Sequence, residues 1–168
     1  HDCDAQVVSI SRWLDTPPAA VNVFLFYGTG QKQYLMGAAS TSIAKPWRRE
    51  IYLHPRGYPH PVVRHELVHA LAGAFGRGPF DVAGRAGGLI PNPGLVEGIA
   101  EAAAPREGNL STHDWAAAML SIGVLAGVTQ LFGLSFFASS SGAGYTAAGS
   151  FVLFVRARYG ADTIRRWY

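Results

Sequence analysis

The five residues His65-Glu66-Leu67-Val68-His69 constrain this chain more than any other feature. Positions i and i+4 share one face of an α-helix, so two imidazoles at this spacing can meet at one point when the segment is helical. From that face they can hold one metal ion. Glu66, beside the first imidazole, can reach a water on the metal without itself taking a ligand position. Zinc lowers the pKa of its water to roughly 7, low enough for a carboxylate to take the proton. The remaining positions suit burial: Val62, Val63, Leu67, Val68, Leu71 and Phe75 can seat the helix in a core. The competing reading is a helix whose two histidines bond only core groups.

The rest of the chain bears on which metal site is possible. Cys3 is the only cysteine, so an internal disulfide and a cysteine-based zinc site are both excluded. Any metal must be held by histidines and carboxylates. Two carboxylates stand out. Residues 95–101 read Leu95-Val96-Glu97-Gly98-Ile99-Ala100-Glu101, with Glu97 and Glu101 on one helical face. On a helix otherwise made of Ala, Gly and Ile, burying them unpaired would be costly. A metal and a zinc-bound histidine would relieve that cost. We expect Glu97 on zinc, and Glu101 accepting the Nδ1–H of a ligand histidine, His65. Swapped roles, or two solvated glutamates, are the alternatives.

Elsewhere the pattern predicts an α+β chain, with a small, mostly antiparallel sheet first and helices after. The 168 residues suit a single domain, and 49% apolar against 15% charged content favours a folded one. A short helix is expected over Asp4 to Leu14. Strands are expected at Val21 to Tyr27, Gln33 to Ala39 and Glu50 to His54, in a sheet of three or four. The HExxH helix begins near Pro61 and stops at Gly76, and a loop rich in Gly, Pro and Asn fills 76–92. Asn92 is the expected N-cap of the Glu97 helix, which ends before Pro105. Ser111 with Asp114 resembles a capping pair for a third helix. Further helices are expected over Ala143 to Tyr159 and Ala161 to Trp167, after a break at Ser139-Ser140-Ser141-Gly142. Trp115 to Ala138 carries no charge and is long enough to span a bilayer, but Gln130 and its Ser and Gly residues favour a buried helix pair over membrane insertion.

The net charge of +3 includes no long basic cluster, so no nucleic-acid surface is expected. The chain does not begin with Met, which we read as a processed or excised form and an extracytoplasmic setting.

Metzincins continue HExxH with a Gly and a third His; here those positions are Ala72 and Phe75, which excludes that subclass. HELVHALAG followed by LVEGIAEAA instead resembles the gluzincins of peptidase clan MA, including the LNEGFA segment of zinc aminopeptidases and the small peptidase-MA-like domains of bacteria. The resemblance implies a zincin-like fold and a zinc metallopeptidase acting on peptides or proteins. It also implies Glu97 as third zinc ligand and Glu101 as the acid supporting a ligand histidine. The gap between His69 and Glu97 is longer than in the aminopeptidases, which bears on the substrate pocket. Residues 144–160, GYTAAGSFVLFVRARYG, resemble the family helix whose tyrosine stabilises the tetrahedral intermediate, which maps onto Tyr145. Independently, a phenol O–H can donate to a developing oxyanion, although a core tyrosine would read the same way. The resemblance covers roughly residues 50 to 168.

No anchoring motif of the GxMEN kind is present, which favours an endopeptidase over an aminopeptidase. His54, His60, His113 and Asp81 are read as structural; the resemblance implies an edge strand that pairs with an extended peptide, for which Gln33 to Ala39 is the candidate, although which strand is the edge is not readable from sequence. The rival function is a catalytically inactive zinc-binding or regulatory domain of a larger, membrane-anchored protein.

Overall fold

The computed structural model describes residues 2–86, 88–104, 108, 110–125, 127–132, 136 and 141–168. The chain begins with helix α1 (Asp2–Leu14), followed by strand β1 (Asn22–Leu25) and helix α2 (Thr29–Met36). Strands β2 (Ile43–Lys45) and β3 (Glu50–Leu53) complete a three-stranded sheet in the order β1-β3-β2. The expected α+β plan, sheet first and helices after, is what the fold shows.

Two details of the sheet differ from expectation. It is mixed: β1 runs parallel to β3 with Val23 opposite Ile51, while β2 runs antiparallel to β3 with Ala44 opposite Ile51. The parallel pairing follows from α2 and β2 lying between β1 and β3, a connection long enough to return the chain in the same direction. The segment expected as a second strand, Gln33 to Ala39, is largely the end of α2. Gln, Lys, Leu and Met are good helix formers. Gly37 ends the helix at φ 71° with its N–H on the Gln33 carbonyl. The strand that pairs is Ile43–Lys45, and β2 is one of the two edges, β1 being the other.

Helix α3 (Val63–Ala72), which carries the HExxH residues, continues as a 3-10 turn to Phe75. It packs on α1, on β2 and β3, and on α4 (Pro93–Ala103). Its apolar positions Leu67, Val68 and Leu71 join Ile10, Ile51, Leu53, Ile99 and Val152 in one core. The 76–92 connection holds a small ladder, β4 (Gly84–Arg85) with β5 (Ile90–Pro91). Asn92 caps α4 as expected, its side chain accepting from the Leu95 N–H at 3.2 Å. Ser111 and Asp114 form a reciprocal capping box on α5 (Thr112–Ser121). After α6 (Val128–Leu131), the long helix α7 (Ser141–Tyr159) lies along α4, and α8 (Ala161–Trp167) closes the chain.

The uncharged stretch from 115 is not a buried helix pair. Among its described residues Ala116, Leu131 and Phe136 are buried, whereas Trp115, Leu120, Ile122, Val124 and Val128 are exposed. The helices there are too short to turn all of these inward. No helix among the described residues is long and apolar enough to cross a membrane. The break expected at 139–142 lies partly outside the described residues, and Ser141 and Gly142 already belong to α7.

Candidate metal centre

Helix α3 turns His65 and His69 to the side where α4 crosses it, and α4 presents Glu97 there. The two Nε2 atoms are 3.1 Å apart. Glu97 Oε2 is 3.2 Å from His65 Nε2 and 3.5 Å from His69 Nε2. This is the candidate metal cluster among the described residues.

The triangle tests whether a metal fits. In tetrahedral zinc sites, metal–ligand bonds of about 2.0–2.1 Å put neighbouring ligand atoms about 3.3–3.4 Å apart. The three observed edges bracket that value. Hydrogen bonding alone serves the triangle poorly. Each Nε2 carries at most one proton and an ionised carboxylate none. If both imidazoles donate to Glu97, two N–H groups face each other across the shortest edge. A cation at the centre instead takes a lone pair from all three. His69 Nδ1, on the far side of its ring, is buried with no hydrogen-bond partner among the described residues.

The carboxylates are tuned in opposite directions. Burial pushes Glu97 up, but hydrogen bonds from His65 and His69 outweigh it and hold the group at about 2. Glu66 is buried and makes no such bond; burial raises it above the ordinary carboxylate range, against the pull of both imidazoles. Burial lowers His69, and the Glu97 hydrogen bond and nearby negative charge more than reverse this.

The cluster opens onto a cleft of about 860 Å³ lined also by Glu66, Glu101 and Tyr145. Glu101 is buried one turn beyond Glu97. Tyr145 comes from the start of α7, its ring 6.3 Å from that of His65 and 5.6 Å from Phe136. Burial first, then the charges of Glu97, Glu66 and Glu101, push its hydroxyl up to about 12, so it stays a proton donor at neutral pH. All six residues singled out for the site thus converge on one cleft.

The other candidates fall as follows. His60 lines the cleft, its Nε2 bonded to the His54 carbonyl at 2.8 Å, and the His54 ring contacts the Ala39 carbonyl. His113 bonds Ser150 Oγ at 2.8 Å on another face, and Asp81 sits in a turn at φ 48°. Three features carried no sequence signal. Lys32 is buried, donates to the Thr41 carbonyl, and acts electrostatically on Glu66. Trp47 and Arg56 line the cleft from segments distant in sequence. A lysine in a short polar helix gives no hint of burial, and cleft walls depend on which segments fold together.

In comparison with known proteins, the chain matches no protein-family model, no curated protein and no solved structure.

Proposed function

We propose that the chain is a zinc-dependent peptide hydrolase, and more particularly an endopeptidase of gluzincin type. The observation that carries this reading is the His65–His69–Glu97 triangle, whose edges of 3.1, 3.2 and 3.5 Å match one face of a tetrahedral zinc site. His65, His69 and Glu97 would hold the ion. Bound there, zinc would supply Lewis acidity and a water acidic enough to be deprotonated near neutral pH.

The protein's own groups fit the remaining tasks. Glu66, with its affinity for protons raised by burial, is suited to take a proton from the attacking water and deliver it to the leaving amine. Tyr145 lines the cleft and keeps its proton, and we assign it to donate to the carbonyl oxygen as charge builds on it. Glu101, buried one turn beyond Glu97 and lining the same cleft, is the group we assign to support a ligand histidine. The edge strand β2 borders the cleft and offers unpaired backbone groups to an extended peptide. The cleft is lined by Pro59 to Val62 ahead of α3 and by Pro46 and Trp47, the former lying against Gly73 after it, and walls on both sides of the cluster favour cleavage within a chain over removal of a terminal residue.

The deciding experiment is elemental analysis of wild type beside Glu97→Ala, together with peptide hydrolysis by wild type and Glu66→Gln. Near-stoichiometric zinc in wild type, lost in Glu97→Ala, with hydrolysis lost in a zinc-loaded Glu66→Gln, supports the reading. Zinc bound without cleavage of any peptide would make the chain a zinc-binding interaction module. No zinc in the wild type after reconstitution would return His65 and His69 to a structural role.

A further inference from the structure

We infer that the cleft selects its peptide by polarity along its length, with an acidic flank at the Arg56 end and a bulky apolar side chain at the Trp47 end. This rests on the hydrolase reading above and adds the substrate class to it.

Two walls define the same axis independently. Along α3, His60 and Arg64 mark the N-terminal end: His60 accepts from the Val62 N–H and bonds the His54 carbonyl, and Arg56 lines the cleft from the loop between those two histidines. The C-terminal end is bordered by the turn holding Pro46 and Trp47. That turn is fixed there because Pro46 lies where a Cβ on Gly73 would meet it at 2.8 Å. Along β2 the order repeats. The 40–42 segment leading into the strand lies beside the loop that carries Arg56, joined through the His54 ring on the Ala39 carbonyl. The strand then runs from Ile43 to Lys45 and into Pro46-Trp47. The metal cluster sits between the two ends.

The ends differ in chemistry. Among the described residues, the acidic groups bordering the cleft are Glu66, Glu97 and Glu101, which belong to the central cluster or the turn next to it. The other charged side chains among the described lining residues are Arg56 and Arg64. Arg64 is partly spent, donating to the Ala103 carbonyl at 2.7 Å with Ser9 Oγ at 3.3 Å. Arg56 is exposed and makes no hydrogen bond or ion pair among the described residues, so its guanidinium is open to a carboxylate. At the far end, Trp47 is packed edge-on against Phe80 at 5.3 Å; Arg48, Arg49 and Asp81 border it in a neighbouring pocket, while Pro46 and Trp47 themselves line the cleft without charge. Such a surface offers area and no polar partner, which suits an aromatic or large aliphatic side chain.

The test measures binding, so that it stands apart from turnover. Zinc-loaded Glu66→Gln chain is titrated with short labelled peptides carrying glutamates at one end and phenylalanines at the other. Both chain directions are used, each matched by a peptide with lysines in place of the glutamates. The expected result is that, in one direction, the glutamate peptide binds about fivefold or more tighter than its lysine partner at low salt, and the ratio shrinks as salt is raised. Adding Arg56→Glu brings the ratio to one or inverts it, with Arg56→Gln between. Trp47→Ala weakens peptides carrying phenylalanine more than those carrying alanine there. Equal binding of the charged pairs, a preference for lysine, no binding, or a ratio indifferent to Arg56 would overturn the inference. Zinc content and cleavage of a neutral peptide by wild type report separately on the hydrolase reading.

Discussion

Glu66 and Glu97 lie in one cluster, yet their protonation is pushed apart because only Glu97 accepts bonds from the imidazoles. That difference predicts distinct phenotypes. Glu66→Gln is expected to lower hydrolysis by at least about a hundredfold, the scale of a lost general base, while zinc stays bound. Glu97→Ala is expected to lose the metal. The same groups set a pH dependence for the metal-free protein. Glu97 is depressed from 4.5 to about 2, so its contribution to stability is present above about 4.5 and is lost as pH falls through about 2. His69 is raised above 6.5, so its contribution is present below 6.5 and is lost as pH rises through the folded value. These two groups place the highest melting temperature of the metal-free chain between about pH 4.5 and 6.5, and Glu66, whose burial-raised affinity for protons favours the acid side, draws the maximum towards the lower limit. Zinc requires deprotonated imidazoles, so the stabilisation it confers should grow with pH across the same range. Melting curves with and without zinc check both signs. At this scale the sequence was highly informative. HExxH names three residues outright, and the Glu97/Glu101 pair follows from the cost of burying carboxylates. Lys32 escaped because its burial depends on the 37–42 segment folding over it.

The helices that carry these residues are held close by small side chains. A Cβ on Gly98 would sit 3.0 Å from the Ala148 carbonyl oxygen, and one on Gly149 would sit 2.6 Å from Glu101 Cγ. Helices α4 and α7 therefore approach nearly backbone to backbone, which brings Tyr145 and the two glutamates into one cleft. Gly149→Ala gains about 1 kcal/mol of helix propensity but must displace Glu101, an overpacking cost of about 1–3 kcal/mol. A net loss of about 1 kcal/mol is expected, together with weaker zinc binding; denaturant titration and zinc affinity measure the two effects. Asn92→Ala should cost about 1 kcal/mol through loss of the α4 N-cap alone. Helix starts were readable because capping is local: Asn92-Pro93 and Ser111 with Asp114 state their role within four residues. The Gln33 to Ala39 reading failed for the same reason in reverse. Its short run of mixed residues suits strand or helix, and the choice fell to Gly37 and to which strand β3 pairs with.

For the whole molecule, the metal would join α3 to α4 and so couple the site to the core between them. At free zinc a hundredfold above its dissociation constant, stabilisation of about 2.7 kcal/mol is expected. In a domain of this size that corresponds to a rise in melting temperature of about 5–10 °C. Glu97→Ala should show no such rise, and calorimetry distinguishes the two.

What the sequence determined by itself was everything that acts over one or two helical turns: the HExxH face, the paired glutamates, the caps and the helix ends. These depend on spacing and side-chain type, which are written in the chain. Tertiary structure decided what depends on meetings between distant segments. It made the sheet mixed rather than mostly antiparallel, placed β2 at an edge, and left Leu120, Ile122 and Val124 exposed instead of buried. It also brought Arg56 and Trp47, distant in sequence, to the wall of one cleft. Periodicity tells which face of an element is apolar, but only packing decides which neighbour covers that face, or whether any does.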